Sequence, residues 1–335
     1  MASLTQLGAD DVVALAAAFQ LGGLIAWGEI PVGTINSNYW VEAGGRRWFV
    51  RVNEGKSEAD VRWEAELVAG LAAAGVATPA PALARDGAPL VRRRDRWVSV
   101  FPWVTGAHRA SEDVSEGDAR AVGAALAVLH RAGRPLASRM ARDGIYTTRH
   151  IAARVARVAA DPRAASDPAL VSALPGLGAE LDWLDARAEK RAALPSGIIH
   201  GDLFRDNVLF EVAPGAARET RVTALLDFEQ ASFGAWTYDL AVCLNAWCFA
   251  SAGEFSPDLV RAMVYGYEAE RALEPAEREL LYVEARAAAL RFTVTRITDV
   301  YLPGVSLEGK DFRRFLARLE AWRALGSEGL AVWLA

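Results

Sequence analysis

The chain has 335 residues, of which 52% are apolar and 24% charged, and its 37 basic against 42 acidic side chains leave a formal net charge of −5. That balance excludes a disordered chain, which would be poorer in apolar residues and richer in net charge. It also excludes a general nucleic-acid binder, which needs a basic field to meet the phosphates. The length predicts about two domains and a core that needs no staples.

The two cysteines, Cys243 and Cys248, lie in one apolar stretch with no other metal-ligand residues at a matching spacing. They read as small buried apolar residues in a reducing compartment. The N-terminus MASLTQLGADD lacks a basic region before an apolar one, so no signal peptide is expected. No uninterrupted apolar run reaches the ~18 residues of a membrane span, so the reading is of a cytoplasmic protein with no membrane partner. Only three lysines, Lys56, Lys190 and Lys310, stand beside 34 arginines.

In chain order, Asp10 to Phe19 has helical spacing behind a plausible cap. Short β-prone runs follow at Leu24–Val32, Asn38–Ala43 and Arg47–Asn53, the last two separated by Gly44-Gly45, a hairpin signal. Ser57 opens a helix to about Ala74, which Gly75, Pro79 and Pro81 end. Two further extended runs are expected at Pro89–Arg92 and Arg96–Phe101. Beyond Pro102 the periodicity is helical over Val114–Ala132, His150–Ala160, Leu177–Ala193, Ala235–Ala250, Pro257–Arg271, Ala276–Tyr301 and Phe312–Trp322. Only Gly197–Phe210 and Val222–Asp227 interrupt it with extended segments. The expected fold is α+β and two-lobed. Residues 1–102 form a small antiparallel sheet with a helix, and residues 103–335 a larger, mostly helical lobe. The loop between Pro303 and Lys310 is the candidate for mobility.

The segment IIHGDLFRDNVLF (198–210) carries the chemistry, with LLDF (225–228) after it. Phosphoryl transfer leaves the protein little covalent work: it must align an attacking hydroxyl and neutralise charge on the transferred group. One carboxylate orients the hydroxyl and accepts its proton. A second carboxylate and a side-chain amide suit Mg²⁺, a hard cation that takes oxygen ligands and few protein groups. Asp202, Asp227 and Asn207 supply that set, and His200 would hold the loop backbone by hydrogen bonds.

With these residues the chain resembles the protein-kinase-like small-molecule phosphotransferases, the superfamily of aminoglycoside phosphotransferases and choline kinases. HGDLFRDN matches the catalytic loop and LLDFEQA the metal-binding motif. Within the superfamily the chain is most similar to the kinase-like homoserine kinases. That narrower resemblance rests on Gly33–Tyr39, YDLAVCLNAWC (238–248) and LRFTVTR (290–296), and it spans both lobes. It implies an ATP- and Mg²⁺-dependent transfer to the hydroxyl of L-homoserine in cytoplasmic threonine biosynthesis, with a nucleotide-binding lobe in 1–102 and a catalytic, acceptor-binding lobe in 103–335. A sister enzyme for an amino alcohol, sugar or aminoglycoside is the alternative, as is a non-catalytic nucleotide-binding module.

Carried over by position, Asp202 is the catalytic base, Asn207 and Asp227 are the metal ligands, and Asp239 buttresses the loop. Arg51 stands where relatives place a lysine on the third strand, with Glu64 as its partner; the alternative is an exposed strand arginine. Around the lone Gly33, Asn36, Asn38 and Tyr39 either cover the nucleotide through backbone N–H groups or form an ordinary hairpin. Val100 and Phe101 either line the adenine slot or pack in the core. Acceptor contacts are expected among Arg205, Asn245, Trp247, Arg291 and Arg296, because a guanidinium fork suits a carboxylate. Glu229 or Asp206 would meet the ammonium. No residue pattern indicates a particular oligomeric state.

Overall fold

Gly44 and Gly45 adopt left-handed φ values of 59° and 73°, the conformation a tight hairpin turn demands. They join two strands of the first sheet, as their spacing predicts. The computed structural model describes residues 5–31, 36–212, 220–249, 254–305 and 309–334. Gly33 and Val32 lie outside the described residues, as do positions 306–308 of the loop expected to be mobile.

The chain divides into two compact units. The first holds α1 (Ala9–Ala18), β1 (Leu24–Ile30), β2 (Ser37–Ala43), β3 (Arg46–Asn53), α2 (Glu58–Ala73), β4 (Val91–Arg93) and β5 (Arg96–Pro102). The strands form one antiparallel sheet in the order β1-β2-β3-β5-β4. The Ser57 hydroxyl accepts the Asp60 N–H and caps α2. Alternation along β3 and β5 splits the sheet's faces. Tyr39, Val41, Val50, Val52, Val98 and Val100 form a buried core with Val12, Leu15 and Ala16 of α1 and with Phe19 just after it. On the other face, Arg51, Asn53, Ser99 and Phe101 line a small cleft with Val61, Glu64 and Ala65 of α2.

The first unit also takes in residues 103–107, 209–212 and 223–229, which the sequence reading groups with the helical part. Hydrogen bonds hold them there: Ala107 exchanges N–H···O bonds of 3.0 Å with Phe210, and the Leu225 N–H donates to the Ala77 carbonyl at 2.7 Å.

The second unit is mostly helical, with α3 (Glu116–Gly133), α4 (Ala137–Met140), α5 (Thr148–Ala159), α6 (Pro162–Ser166), α7 (Pro168–Asp185) and α8 (Ala188–Ala192). β6 (Ser196–Ile199) follows them, and the two-stranded ribbon of β7 (Val208–Phe210) and β8 (Val222–Leu225) belongs mostly to the first unit. β9 (Ser232–Ala235), α9 (Trp236–Trp247), α10 (Pro257–Glu270), α11 (Pro275–Arg296) and α12 (Arg313–Leu334) complete the second unit.

Three expected helices are corrected. Leu177–Ala193 is not one element: Asp167 caps a helix that begins at Pro168, and Arg187, at φ −116° and ψ 6°, breaks it before α8. Ala276–Tyr301 is α-helical to Arg296 and then widens into a π-helical turn over Ile297–Tyr301. The last helix runs past Trp322 to Leu334, with a break at Gly326. β9 had no local signal, because its pairing with β6 (Ile198 opposite Phe233, Ile199 opposite Ser232) is long-range. α3 and α10 cross closely at two glycines. A Cβ on Gly123 would fall 2.1 Å from the Met263 carbonyl oxygen, and one on Gly266 2.0 Å from that of Arg120.

Candidate active site

In the first unit, β3 alternation turns Arg51 onto the face that carries α2. Its Nη1 lies 3.1 Å from Glu64 Oε1 and 3.4 Å from Asp227 Oδ1. Burial opposes the Arg51 charge, but the Asp227 and Glu64 carboxylates outweigh it and hold its pKa above the ordinary value. Asp227 itself sits just after β8 at φ 63°. A non-glycine residue in that region stores about 1–3 kcal/mol, strain that concentrates at working sites. On β2, Asn38 stands directly opposite Arg51.

Lys56 was not foreseen. It follows β3 and reaches Glu64 Oε2 at 3.3 Å and Glu229 Oε2 at 2.8 Å. Burial opposes its charge, and the two carboxylates raise its pKa in net. Glu64 is thereby shared by two cations, one on each oxygen. The one available signal was the rarity of lysine in a chain of arginines. Glu229, expected as a partner for an ammonium ligand, is engaged by Lys56.

One nucleotide expectation is corrected in this unit. Val100 is fully buried on the α1 face, because residues at even positions of β5 point away from Arg51; only Phe101 shares the cleft. The Asn36 side chain is turned inward, its Oδ1 accepting the Glu54 N–H at 3.2 Å.

In the second unit, β6 delivers His200 into the loop 200–207. Asp239, in the first turn of α9, is fully buried and accepts the N–H groups of His200 at 2.7 Å and Gly201 at 2.8 Å. Its Oδ2 also takes a hydrogen bond from His130 Nε2 at 3.0 Å. Burial would raise the Asp239 pKa, but these donors, His130 first, hold it below the usual carboxylate value. Burial pushes His130 the other way from a charged histidine, lowering its pKa, so the neutral ring donates from Nε2 and accepts the Tyr267 hydroxyl on Nδ1 at 2.7 Å.

Asp202 follows Gly201, whose φ is 75°. The Asp202 N–H donates to His200 Nδ1 at 3.3 Å, and the Asp202 carbonyl accepts Asn207 Nδ2 at 2.8 Å. Arg291, from α11, donates to the Gly201 carbonyl, and its Nη2 stands 3.7 Å from Asp202 Oδ1. The Arg291 guanidinium is held between the rings of Tyr146 and Phe292, each 4.1 Å from its centre. Asp202 is thus a carboxylate one-third exposed on a loop whose backbone is pinned on every side.

A family model described as "Phosphotransferase enzyme family" matches residues 27–273. The chain belongs to this phosphotransferase family. It is 36% identical to a homoserine kinase of Methylorubrum populi over 95% of both chains. It is 33% identical to a homoserine kinase of Nitrobacter winogradskyi, covering 97% of this chain and 96% of that one. Among solved structures, an aminoglycoside phosphotransferase from Alicyclobacillus acidocaldarius matches with a TM-score of 0.69 at 17% identity, over 99% of this chain and 96% of the other. A microcompartment-associated aminopropanol kinase matches at the same TM-score and 19% identity, over 96% and 99%. The phosphotransferase therefore has the expected α+β kinase-like fold, and the resemblance read from the motifs holds over nearly its whole length.

The residues expected at the acceptor divide within the phosphotransferase. Asn245 is fully buried; its Nδ2 donates to the Ala241 and Ala285 carbonyls, each at 2.9 Å, and its Oδ1 accepts Trp322 Nε1. Trp247 is also buried, with Nε1 on the Leu203 carbonyl at 2.9 Å. Both brace α9 and the loop and are unavailable to an acceptor. Such patterned polar residues sit in the core because a buried donor must find a partner there. Arg291 is committed to the loop carbonyl and to Asp202. Arg205, whose Nη1 donates to the Ala246 carbonyl at 2.7 Å, and Arg296 remain partly exposed.

Proposed function

We propose that this phosphotransferase is a homoserine kinase, transferring the γ-phosphoryl group of ATP to the hydroxyl of L-homoserine to give ADP and O-phosphohomoserine. The observation that carries the acceptor is full-length similarity to homoserine kinases at 33–36% identity. The free, buried cysteines suit the reducing cytoplasm in which threonine biosynthesis runs.

Asp202 is assigned as the base. Its exposed carboxylate can accept a hydrogen bond from the acceptor hydroxyl, orient it and take its proton as the bond to phosphorus forms. Arg291, by its charge beside Asp202, keeps that carboxylate in one orientation. Arg51, steadied by Glu64, is assigned to the ATP phosphates, where a planar guanidinium offers several donors at once.

The oxygens of Asn207 and Asp227 suit a divalent ion. Asn207 Nδ2 is used on the Asp202 carbonyl, which turns its Oδ1 to other partners, and the Asp227 carboxylate is one-third exposed. By the resemblance of their motifs, each would be a ligand of Mg²⁺, a hard cation that seldom takes an all-protein cage. Bound there, Mg²⁺ would neutralise charge on the phosphates.

The test is ADP release by the purified protein with Mg-ATP and L-homoserine, beside choline, a sugar and an aminoglycoside. Turnover on homoserine alone is expected. Turnover on one of the others, with none on homoserine, would replace the acceptor and keep the loop assignment.

A further inference from the structure

We propose that Arg205, Arg296, Arg314 and Arg318 form an anion subsite near Asp202 that takes the α-carboxylate of the acceptor alcohol. The inference rests on the phosphotransfer reading and adds its acceptor subsite. All four residues belong to the second unit. The guanidinium centres of Arg296 and Arg318 both lie on the Phe315 ring, at 4.3 and 4.4 Å from its centroid. Arg205 and Arg318 donate to consecutive carbonyls, Ala246 and Asn245, at the C-terminal end of α9. Phe204, in the loop itself, packs on Phe292 and Phe315 at 4.8 and 6.0 Å, tying the cluster to the segment that carries Asp202.

Among the described residues, no carboxylate forms an ion pair with Arg205, Arg296, Arg314 or Arg318. Arg318 is 5% exposed, and its Nε is buried with no hydrogen-bond partner. Arg314, one turn before it on α12, pairs with no carboxylate among the described residues. Nearby acids do not neutralise the set: Asp206 and Glu112 are exposed, and Asp311 turns to Arg313. Burial first, then the other guanidiniums, holds Arg296 at about 10 and Arg318 at about 9. Among the groups facing Arg296, Asp202 is the leading attraction. Converging cations of this kind favour an anion, and a fork of guanidiniums matches a carboxylate. Homoserine carries its carboxylate a short carbon chain from its hydroxyl, so this placement leaves the hydroxyl for Asp202.

Arg314 is half-buried, and its side chain makes no hydrogen bond or ion pair among the described residues, so Arg314→Ala should fold. The experiment compares it with wild type and Arg314→Lys on L-homoserine and on 3-aminopropan-1-ol, the same alcohol without the carboxylate. Losing one guanidinium–carboxylate contact should lower kcat/KM for homoserine roughly 10- to 100-fold, mainly through KM. Arg314→Lys should fall between. The KM for Mg-ATP and kcat/KM for 3-aminopropan-1-ol should stay near wild type. Equal losses on both alcohols, an unchanged homoserine KM, or a rise confined to the KM for Mg-ATP would overturn the subsite while leaving homoserine kinase activity standing. Calorimetric binding of L-2-aminobutyrate, which has the carboxylate and amine but no hydroxyl, separates the two readings. Binding lost in Arg314→Ala without any homoserine turnover in wild type would keep the subsite and discard the proposed reaction. Equal binding by both proteins would discard the subsite.

Discussion

His130 Nε2 lies 3.0 Å from Asp239 Oδ2, and neither side chain is exposed to solvent. Through this pair α3 reaches the loop that carries Asp202, because the same carboxylate receives the N–H groups of His200 and Gly201. Helix N-terminal dipoles favour a carboxylate in the first turn, where Asp239 sits. Replacing it with Ala leaves three buried donors unmatched. Asp239→Ala should lose roughly 3–5 kcal/mol of stability, read by urea denaturation, and most of its turnover. A variant of near-normal stability would remove Asp239 as the loop's support.

The same pair sets an acid limit. The folded-state pKa of His130 lies below the ordinary 6.5, so the folded protein resists the proton that the unfolded chain takes up. Its contribution is complete above pH 6.5 and is lost as pH falls from there towards the depressed value. Asp239, also depressed, adds a loss in the same direction below its ordinary 3.8. The Tm should therefore fall as pH drops from 7.5 to 5. In His130→Gln, of lower starting stability, the fall between pH 6.5 and 5.5 should be shallower. Parallel curves for the two proteins would contradict the assignment.

Asp202→Asn keeps the shape and removes the carboxylate proposed as the base. General-base loss costs about 10²–10⁴ in rate, so kcat should fall by that order while the Kd for nucleotide stays near wild type. Asp227→Ala should instead weaken Mg-ATP binding as well as turnover. Near-normal turnover in Asp202→Asn would sink the catalytic assignment.

Arg51 holds Glu64 and Asp227 with one guanidinium, while Lys56 holds the other oxygen of Glu64. Arg51→Met should raise the KM for ATP about tenfold or more, with a smaller rise in Arg51→Lys, which keeps charge but loses the planar fork. Lys56→Ala removes one cation from Glu64 and from Glu229, and an intermediate rise is expected. Equal KM values across the three variants would show that this charge network does not serve the nucleotide.

Much of the architecture is local in origin and was legible in the chain itself. Gly44-Gly45 can turn left-handed at no steric cost, Ser57 caps its own helix, and the alternation in Phe49–Val52 dictates a two-faced strand. The loop from His200 to Asn207 stood out as a motif, and the structure shows its backbone held by Asp239, His200 and Asn207. Which face of the sheet is buried is a different matter. Val100 and Phe101 are adjacent and both apolar, and only the docking of α1 on one side sends Val100 to the core and Phe101 to the cleft. Asn245 and Trp247 read as acceptor contacts until the fold shows their polar atoms spent on α11, α12 and the loop. Lys56, His130 and Arg314 carry no local mark at all. Their partners lie 8 to 173 residues away for Lys56 and 109 and 137 residues away for His130. Sequence spacing records neighbours within a strand or a helical turn, so the residue types and the reaction class were determined there. The pairing of distant charges was decided by packing, since only the tertiary structure sets which side chains lose water together.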